Sequence, residues 1–482
     1  MLNYRFVNKL TARLTGRDHQ LWIRILVIIG LFAYTMFMAL RASRMIYPLE
    51  IVRDPLLLVI PAVAAAYILL RWPGLGLLAI VVGALALPFS IGTGSVSSLH
   101  AAILLTGAMM GLAVYQMVVE KKTFTIIRLR PVLAILVFVG FAGLSFLVGQ
   151  LPWFVFAQPA PLTAQLGGLG IFALSAGAFL LTAYHVRDIR WLKWMVWIYL
   201  VLGAVYIFGE LFSPTRAFVS SFIQRGAYSN SVFWIWLVVL AFSQTFFNSE
   251  LSKEWRVAIG ILLLASIYYA IVEQGFWTSG WLPPLVGVAA MLLLSRTVWS
   301  WLAIFMGVAM GIAKLDAFQR LLFGGGNEYS LFTRVEAWKI LGEIIQRNPL
   351  LGLGPANYYW YTPLYPILGY AVQFNSHNNY VDIIAQTGLL GLLAFLWFAG
   401  ELAWLGYRLL DKVPTGFAQS YAFAALGGLV ATLTAGMLGD WFFPFVYNIG
   451  LNGFRASIVG WLFLGGLVAL HEMNQVNLEG VK

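Results

Sequence analysis

The 482-residue chain has no cysteine and little charge: Asp, Glu, Lys and Arg together make up 10% of it, while 61% is hydrophobic. The missing thiols exclude a disulfide scaffold, thiolate metal sites and thiol catalysis. A soluble domain carries about 25% charged residues, so so small a share over this length excludes a soluble enzyme and a disordered chain alike. No segment alternates apolar and polar residues at period two, which excludes a membrane β-barrel. What remains is an all-α polytopic membrane protein, in line with a mean hydropathy of +0.84.

Apolar segments lie near 21–40, 55–70, 73–91, 98–118, 131–150, 167–184, 191–212, 231–247, 256–272, 281–295, 298–313, 380–407, 415–438 and 455–470. They amount to about 14 transmembrane helices, with 12–14 as the range, in one integral membrane domain over residues 1–482. The first residues are polar and basic (Arg5, Lys9, Arg13, Arg17). The apolar run after them has the length of a span and no small-residue cleavage site, so a retained first helix is expected. With that basic end inside and the spans alternating, 19 of the 30 Lys and Arg fall on the inner side and 11 on the outer. Such a bias in short loops sets orientation, and it places both termini in the cytoplasm. The formal net charge of +11 is then topology and contact with membrane lipids, not a nucleic-acid surface.

Residues 314–379 break the pattern, as a long outer loop of mixed polarity before the twelfth span. A loop this long in a compact chain is functional or disordered, and its aromatics and helical stretch argue against disorder. Thr333-Arg334-Val335-Glu336 reads as a capping box with Thr333 as N-cap. Arg334 would then lie in a first helical turn, where backbone N–H groups and the dipole favour an anion and a guanidinium holds phosphate bidentately. The plain alternative is a surface helix with pairs such as Lys339–Glu343. Asn348-Pro349 and Leu350-Leu-Gly-Leu-Gly-Pro355 read as a helix stop and a tight turn; a phosphate-cradling loop fits less well, as no Walker or dinucleotide spacing is present.

Of the five histidines, His377 stands apart, within Asn375-Ser376-His377-Asn378-Asn379-Tyr380 at the expected start of the twelfth span. A helix N-terminus disfavours imidazolium, so the ring is expected to be a neutral base, with a structural histidine as the alternative. Asn378 and Asn379 would support it or face the acceptor. Arg216 and Gln224-Arg225-Gly226 form a second outer cation cluster, which would bind an anion or snorkel to lipid phosphates. In Gly439-Asp440-Trp-Phe-Phe-Pro-Phe-Val-Tyr-Asn448 an interfacial belt explains the aromatics but not Asp440, which would orient His377 or bind a sugar hydroxyl. The outer loops lack D-x-D and paired carboxylates at ligand spacing, so no metal is expected.

Together these residues resemble the O-antigen ligase and O-antigen polymerase family. His377-Asn378, nine residues and Gly388-Leu-Leu-Gly391 are similar to its signature. Arg334-Val-Glu-Ala-Trp338, Pro349-Leu-Leu-Gly-Leu-Gly354 and Arg225-Gly226 with Asn230 are similar to its other elements, over roughly residues 225–400. The resemblance implies a GT-C membrane glycosyltransferase, inverting and without metal or other cofactor. It would take a glycan from undecaprenyl diphosphate at the outer face of a bacterial cytoplasmic membrane and pass it to an acceptor hydroxyl, on a lipid (ligase) or on a growing glycan (polymerase). It implies that Arg225 and Arg334 hold the diphosphate and that His377 serves the acceptor or leaving group. The family's ligases have 12 spans where about 14 are read here, which leaves the acceptor side open. The competing reading is a lipid-linked oligosaccharide flippase or another transporter. Against it, the spans carry few deep charges and the polar features gather in one outer loop.

Overall fold

The computed structural model describes residues 55–92, 98–120, 122 and 127–479; the expected span at 21–40 lies outside them. Met1–Trp72 and Pro73–Lys482 are two compact units. In the first, the described helix is α1 (Pro55–Arg71). The second begins with α2 (Pro73–Leu85) and a short antiparallel pair, β1 (Ser90–Gly92) with β2 (Ser98–His100), Ile91 opposite Leu99. Four helices follow: α3 (Ala101–Tyr115), α4 (Arg130–Val148), α5 (Leu162–His185) and α6 (Ile189–Leu211). The short α7 (Arg216–Phe222) and α8 (Arg225–Tyr228) lead into α9 (Ser231–Phe246), α10 (Lys253–Tyr268), α11 (Thr278–Ser295) and α12 (Val298–Ala313). The long segment after them holds α13 (Leu315–Phe323), α14 (Asn327–Ile345) and α15 (Tyr358–Tyr361). Then come α16 (Asn379–Leu409), α17 (Phe417–Leu438) and α18 (Gly450–Glu479).

The chain is nearly all-α. Among the described residues nine helices are long and apolar enough to cross a membrane, fewer than the count read from hydropathy. Every apolar segment within the described residues does contain a helix, but α9 and α12 have 16 residues each and α2 has 13. A span needs about 20. Hydropathy marks an apolar run; it does not mark where the helix inside it stops.

α18 is the centre of the second unit, with its apolar window wholly buried. It packs on α5, while α16 packs on α4 and α17 on α9 and α11. Small residues set these approaches, as expected where there is no water to drive association. A Cβ on Gly287 of α11 would stand 2.8 Å from the carbonyl of Gly427 on α17.

α16 is interrupted at Gly388, whose φ of 71° lies in a region that a side chain disfavours. The interruption frees backbone groups that a membrane helix must satisfy internally, and the Pro349–Gly354 turn satisfies them. Leu353 and Gly354 N–H donate to the carbonyls of Ala385 (2.9 Å) and Gln386 (3.1 Å). On the other side of the break, Leu389 and Leu390 N–H donate to the carbonyls of Pro349 (2.8 Å) and Leu350 (3.2 Å). The segment is therefore the helix stop and tight turn of its plain reading, and it acts as a structural plug in which the N–H groups of Gly352, Leu353 and Gly354 are already used. Leu389–Leu409 by itself supplies the length that a span needs, and Asn379–Thr387 is a distinct half-helix that carries the residues around His377.

Candidate active site

α14 starts six residues before Thr333, after Gly326 in a left-handed conformation. Thr333 is thus not an N-cap but an interior residue, whose hydroxyl donates to the Ser330 carbonyl at 3.0 Å. The Gly324-Gly-Gly turn forms the boundary that the capping pattern had suggested further on. Arg334 accordingly lies mid-helix, away from the N-terminus of its own helix, and the first-turn amides of α14 do not cradle an anion beside it. Lys339 pairs with Glu336 at 2.6 Å rather than with Glu343.

α14 nevertheless aims its motif residues. Leu341 and Ile344 pack into a small core with Phe154, Leu353, Tyr358, Tyr361, Ala385 and Phe445, which fixes the helix against the Pro349–Gly354 turn and α16. The face one turn earlier then meets the loops above α16 and α17. The half-buried Arg334 donates from Nη1 to the Leu438 carbonyl, the last residue of α17, at 2.8 Å. Trp338 donates from Nε1 to the Ser376 carbonyl at 2.7 Å. Burial lowers the guanidinium pKa of Arg334, and the charge of Asp440 raises it in part. No ion pair of Arg334 with a carboxylate is found among the described residues.

His377 has φ 47°, a conformation uncommon outside glycine, and such strain gathers at functional sites. A buried network holds it there. Ser376 N–H donates to Tyr358 Oη, Tyr358 Oη–H donates to Asp382, and Ser376 Oγ lies 2.7 Å from the same carboxylate. Next to His377, Asn378 is the true N-cap of α16, its Oδ1 accepting from Tyr380 N–H (2.9 Å) and Val381 N–H (3.3 Å). Asn379 clamps the 439–449 loop, donating to Phe443 O at 2.8 Å and accepting from Phe442 N–H at 3.1 Å. Both asparagines therefore position the site. The His377 ring is pushed down to about 4, first by burial and second by Arg334. It is neutral near pH 7, though burial rather than the helix start is the leading cause.

The 439–449 loop supplies the third group. Its aromatics are not an interfacial belt: Phe442, Phe443 and Phe445 are buried. Phe443 stacks on Phe138 of α4 and Trp461 of α18, and Phe442 stacks on Phe395 of α16. Anchored in this way, the loop presents Asp440 at 1% exposure. Its Oδ2 accepts from Phe445 N–H at 2.8 Å and its Oδ1 from Asn448 Nδ2 at 2.7 Å. Burial pushes the Asp440 carboxyl above the usual carboxylate range, while those two donors and Arg334 favour its charged form. The same Asn448 Nδ2 stands 3.3 Å from His377 Nδ1. Asp440 and His377 thus meet through Asn448, not directly.

The structure therefore gathers Arg334, His377, Asp440, Asn378 and Asn379. Arg225 opens α8 and is itself exposed, while Ala227 in the same turn is buried. That turn is joined to the same loop through Asn230, whose Nδ2 donates to Trp441 O (3.1 Å) and Gly453 O (2.8 Å). Arg216 is not brought in: its guanidinium binds the Glu210 carbonyl at 2.9 Å and the Glu210 carboxylate at 3.4 Å. Among the described residues there is no cluster of three or more His, Asp or Glu able to hold a metal ion.

Residues 224–396 match the family model described as O-Antigen ligase. The family resemblance carried by the motifs is thereby shown over that segment, which contains Arg225, Arg334, Trp338, His377 and Gly388. No curated protein matches the chain. Asp440 and Asn448 lie beyond the matched residues and enter the site only through the folded loop. Sequence reasoning missed the roles of Tyr358, Asp382 and Asn448. Asp382 carried a signal, as a carboxylate in the first turn of a span; Asn448 carried none, because its partner His377 is 71 residues away.

Proposed function

We propose that the protein is a membrane glycosyltransferase of the GT-C type. It moves a glycan from an undecaprenyl-diphosphate carrier to an acceptor hydroxyl, at the outer face of a bacterial cytoplasmic membrane. Supporting this reading are the O-antigen ligase segment and one observation above all. Arg334 is half-buried, without a carboxylate partner among the described residues, and close enough to His377 to depress its protonation. A cation with no carboxylate in direct contact, its charge offset only in part by nearby Asp440, beside a neutral imidazole suits an anionic substrate that arrives with its own charge. Diphosphate is a good leaving group, and fixed cations that meet its developing charge do the work a metal would otherwise do. Arg334 and Arg225 take the diphosphate, His377 serves the acceptor hydroxyl or the leaving group, and inversion follows from a single displacement. The excess of cations on the opposite loops supports placing this site outside and both termini in the cytoplasm.

The test is transfer in vitro from a defined undecaprenyl-diphosphate oligosaccharide, with and without EDTA, onto lipid and glycan acceptors in parallel. Product mass separates ligation, polymerisation and hydrolysis. Transfer that survives EDTA supports the reading. Loss of transfer with EDTA removes its metal-free part, and no product with any acceptor removes the whole.

A further inference from the structure

We propose that Asn448 is a positioning residue that decides which ring nitrogen of His377 carries the proton, so that His377 meets its substrate as an N–H donor through Nε2. This rests on the glycosyltransferase reading for its consequence, but not for its geometry. An ionised carboxylate has only lone pairs to offer, so the amide of Asn448 must turn its NH2 group towards Asp440 Oδ1, 2.7 Å away. That choice fixes the rest. The second hydrogen of the same nitrogen faces His377 Nδ1 at 3.3 Å, so Nδ1 accepts. A neutral imidazole has one acceptor nitrogen and one N–H, and the proton therefore resides on Nε2.

The surroundings hold this arrangement in place. Asp440 is buried in the loop after α17, and its other oxygen is held by Phe445 N–H, so the carboxylate cannot swing away from Asn448. From α14, Arg334 opposes a second proton on the ring. From α15 and α16, Tyr358 and Asp382 are tied to each other and to Ser376, the residue before His377. A proton on Nδ1 would face the NH2 of Asn448, so the imidazolium is reached only if that amide turns over, which would in turn set its oxygen against the Asp440 carboxylate. Charge on Asp440 and the tautomer of His377 are linked through one side chain.

For the transfer step this removes His377 as the resting acceptor of a proton at Nε2. The bond between the anomeric carbon and the diphosphate oxygen breaks with its electron pair leaving on the diphosphate. The bond from that carbon to the acceptor oxygen forms, and the hydroxyl proton passes to a diphosphate oxygen or to water. His377 keeps its proton throughout and donates a hydrogen bond to the diphosphate oxygen as charge develops on it, which places the ring on the leaving-group side.

The test is the nitrogen-15 spectrum of the full chain, with its histidine rings labelled, in lipid nanodiscs near pH 7.5. The His377→Gln variant identifies the resonances. The expected wild-type spectrum shows a single neutral tautomer with Nδ1 bare and Nε2 protonated. Asn448→Ala, at an exposed position, is expected to give a mixture of both tautomers and a higher protonation midpoint for His377. A wild-type ring protonated at Nδ1, or an Asn448→Ala spectrum like the wild type, overturns the proposal. The bare-Nδ1 tautomer in a chain that transfers no glycan leaves this inference standing and removes the function. Transfer by a chain whose ring is protonated at Nδ1 does the reverse.

Discussion

Arg334 and Trp338, one helical turn apart on α14, reach the two loops that bound the site: Arg334 binds the carbonyl of Leu438 at the end of α17, and Trp338 binds the carbonyl of Ser376 beside His377. Their spacing of four residues puts both on one helical face. The pair is thus a brace that sets the His377 loop and the Asp440 loop at a fixed separation, besides supplying a cation.

Trp338→Phe keeps the ring and removes the donor. The buried Ser376 carbonyl loses its partner, at about 1–3 kcal/mol. We expect a lowered melting temperature and a transfer rate down by about tenfold or more, since the left-handed backbone at His377 depends on its neighbours. Melting and turnover measured on the same preparation check this. Wild-type turnover in Trp338→Phe would show that the brace is dispensable.

The backbone at His377 separates strain from chemistry. His377→Gly and His377→Ala both remove the imidazole, and both are expected to lose transfer. With φ at 47°, however, glycine fits where alanine is strained, and His377→Gly should be the more stable of the two by about 1 kcal/mol. Denaturation of the two variants side by side measures the difference; equal stability would contradict the strain.

Titration gives a third check. The His377 ring is held at about 4 in the folded chain against an ordinary 6.5. The unfolded chain therefore takes up the proton first, and stability falls as pH drops from about 6.5 to about 4. Above that window the contribution is constant. In His377→Gln the same slope should be shallower, as read from unfolding at a series of pH values.

The break in α16 was legible only in part. The motif glycines stood out in the sequence, but that the Pro349–Gly354 turn enters the break at Gly388 depends on long-range hydrogen bonds that no local pattern records. A Cβ at Gly388 would run into the Leu350 carbonyl, whereas at Gly400 on the same helix it meets nothing within 4 Å. Gly388→Ala is expected to destabilise by roughly 1–3 kcal/mol, and Gly400→Ala to be neutral or stabilising. Melting of the two variants decides it, and a neutral Gly388→Ala would sink the plug.

What the sequence showed best was local and periodic. The apolar runs each hold a helix wherever residues are described, and the run at 380–407 falls on α16, although the break at Gly388 leaves only Leu389–Leu409 as an unbroken span-length helix. His377 and Arg334 stood out by residue type and motif. What it showed badly depended on exact boundaries or on distant partners. The capping pattern at Thr333 was overridden by the glycine turn before Asn327, Arg216 was claimed by Glu210, and the loop aromatics were drawn into the bundle by Phe138, Phe395 and Trp461. Period and composition survive tertiary contact, whereas caps and side-chain partners are chosen by it.

The central claim is that Arg334 and His377 act on one lipid-linked diphosphate. The most direct measurement compares Arg334→Ala, Arg334→Lys and His377→Ala in donor binding and in glycan transfer from the same undecaprenyl-diphosphate oligosaccharide. Arg334→Ala should weaken donor binding more than Arg334→Lys, because lysine keeps the charge and loses only the fork. His377→Ala should bind donor and fail to transfer. Donor binding unchanged in both Arg334 variants, or near-wild-type transfer by His377→Ala, would contradict the account.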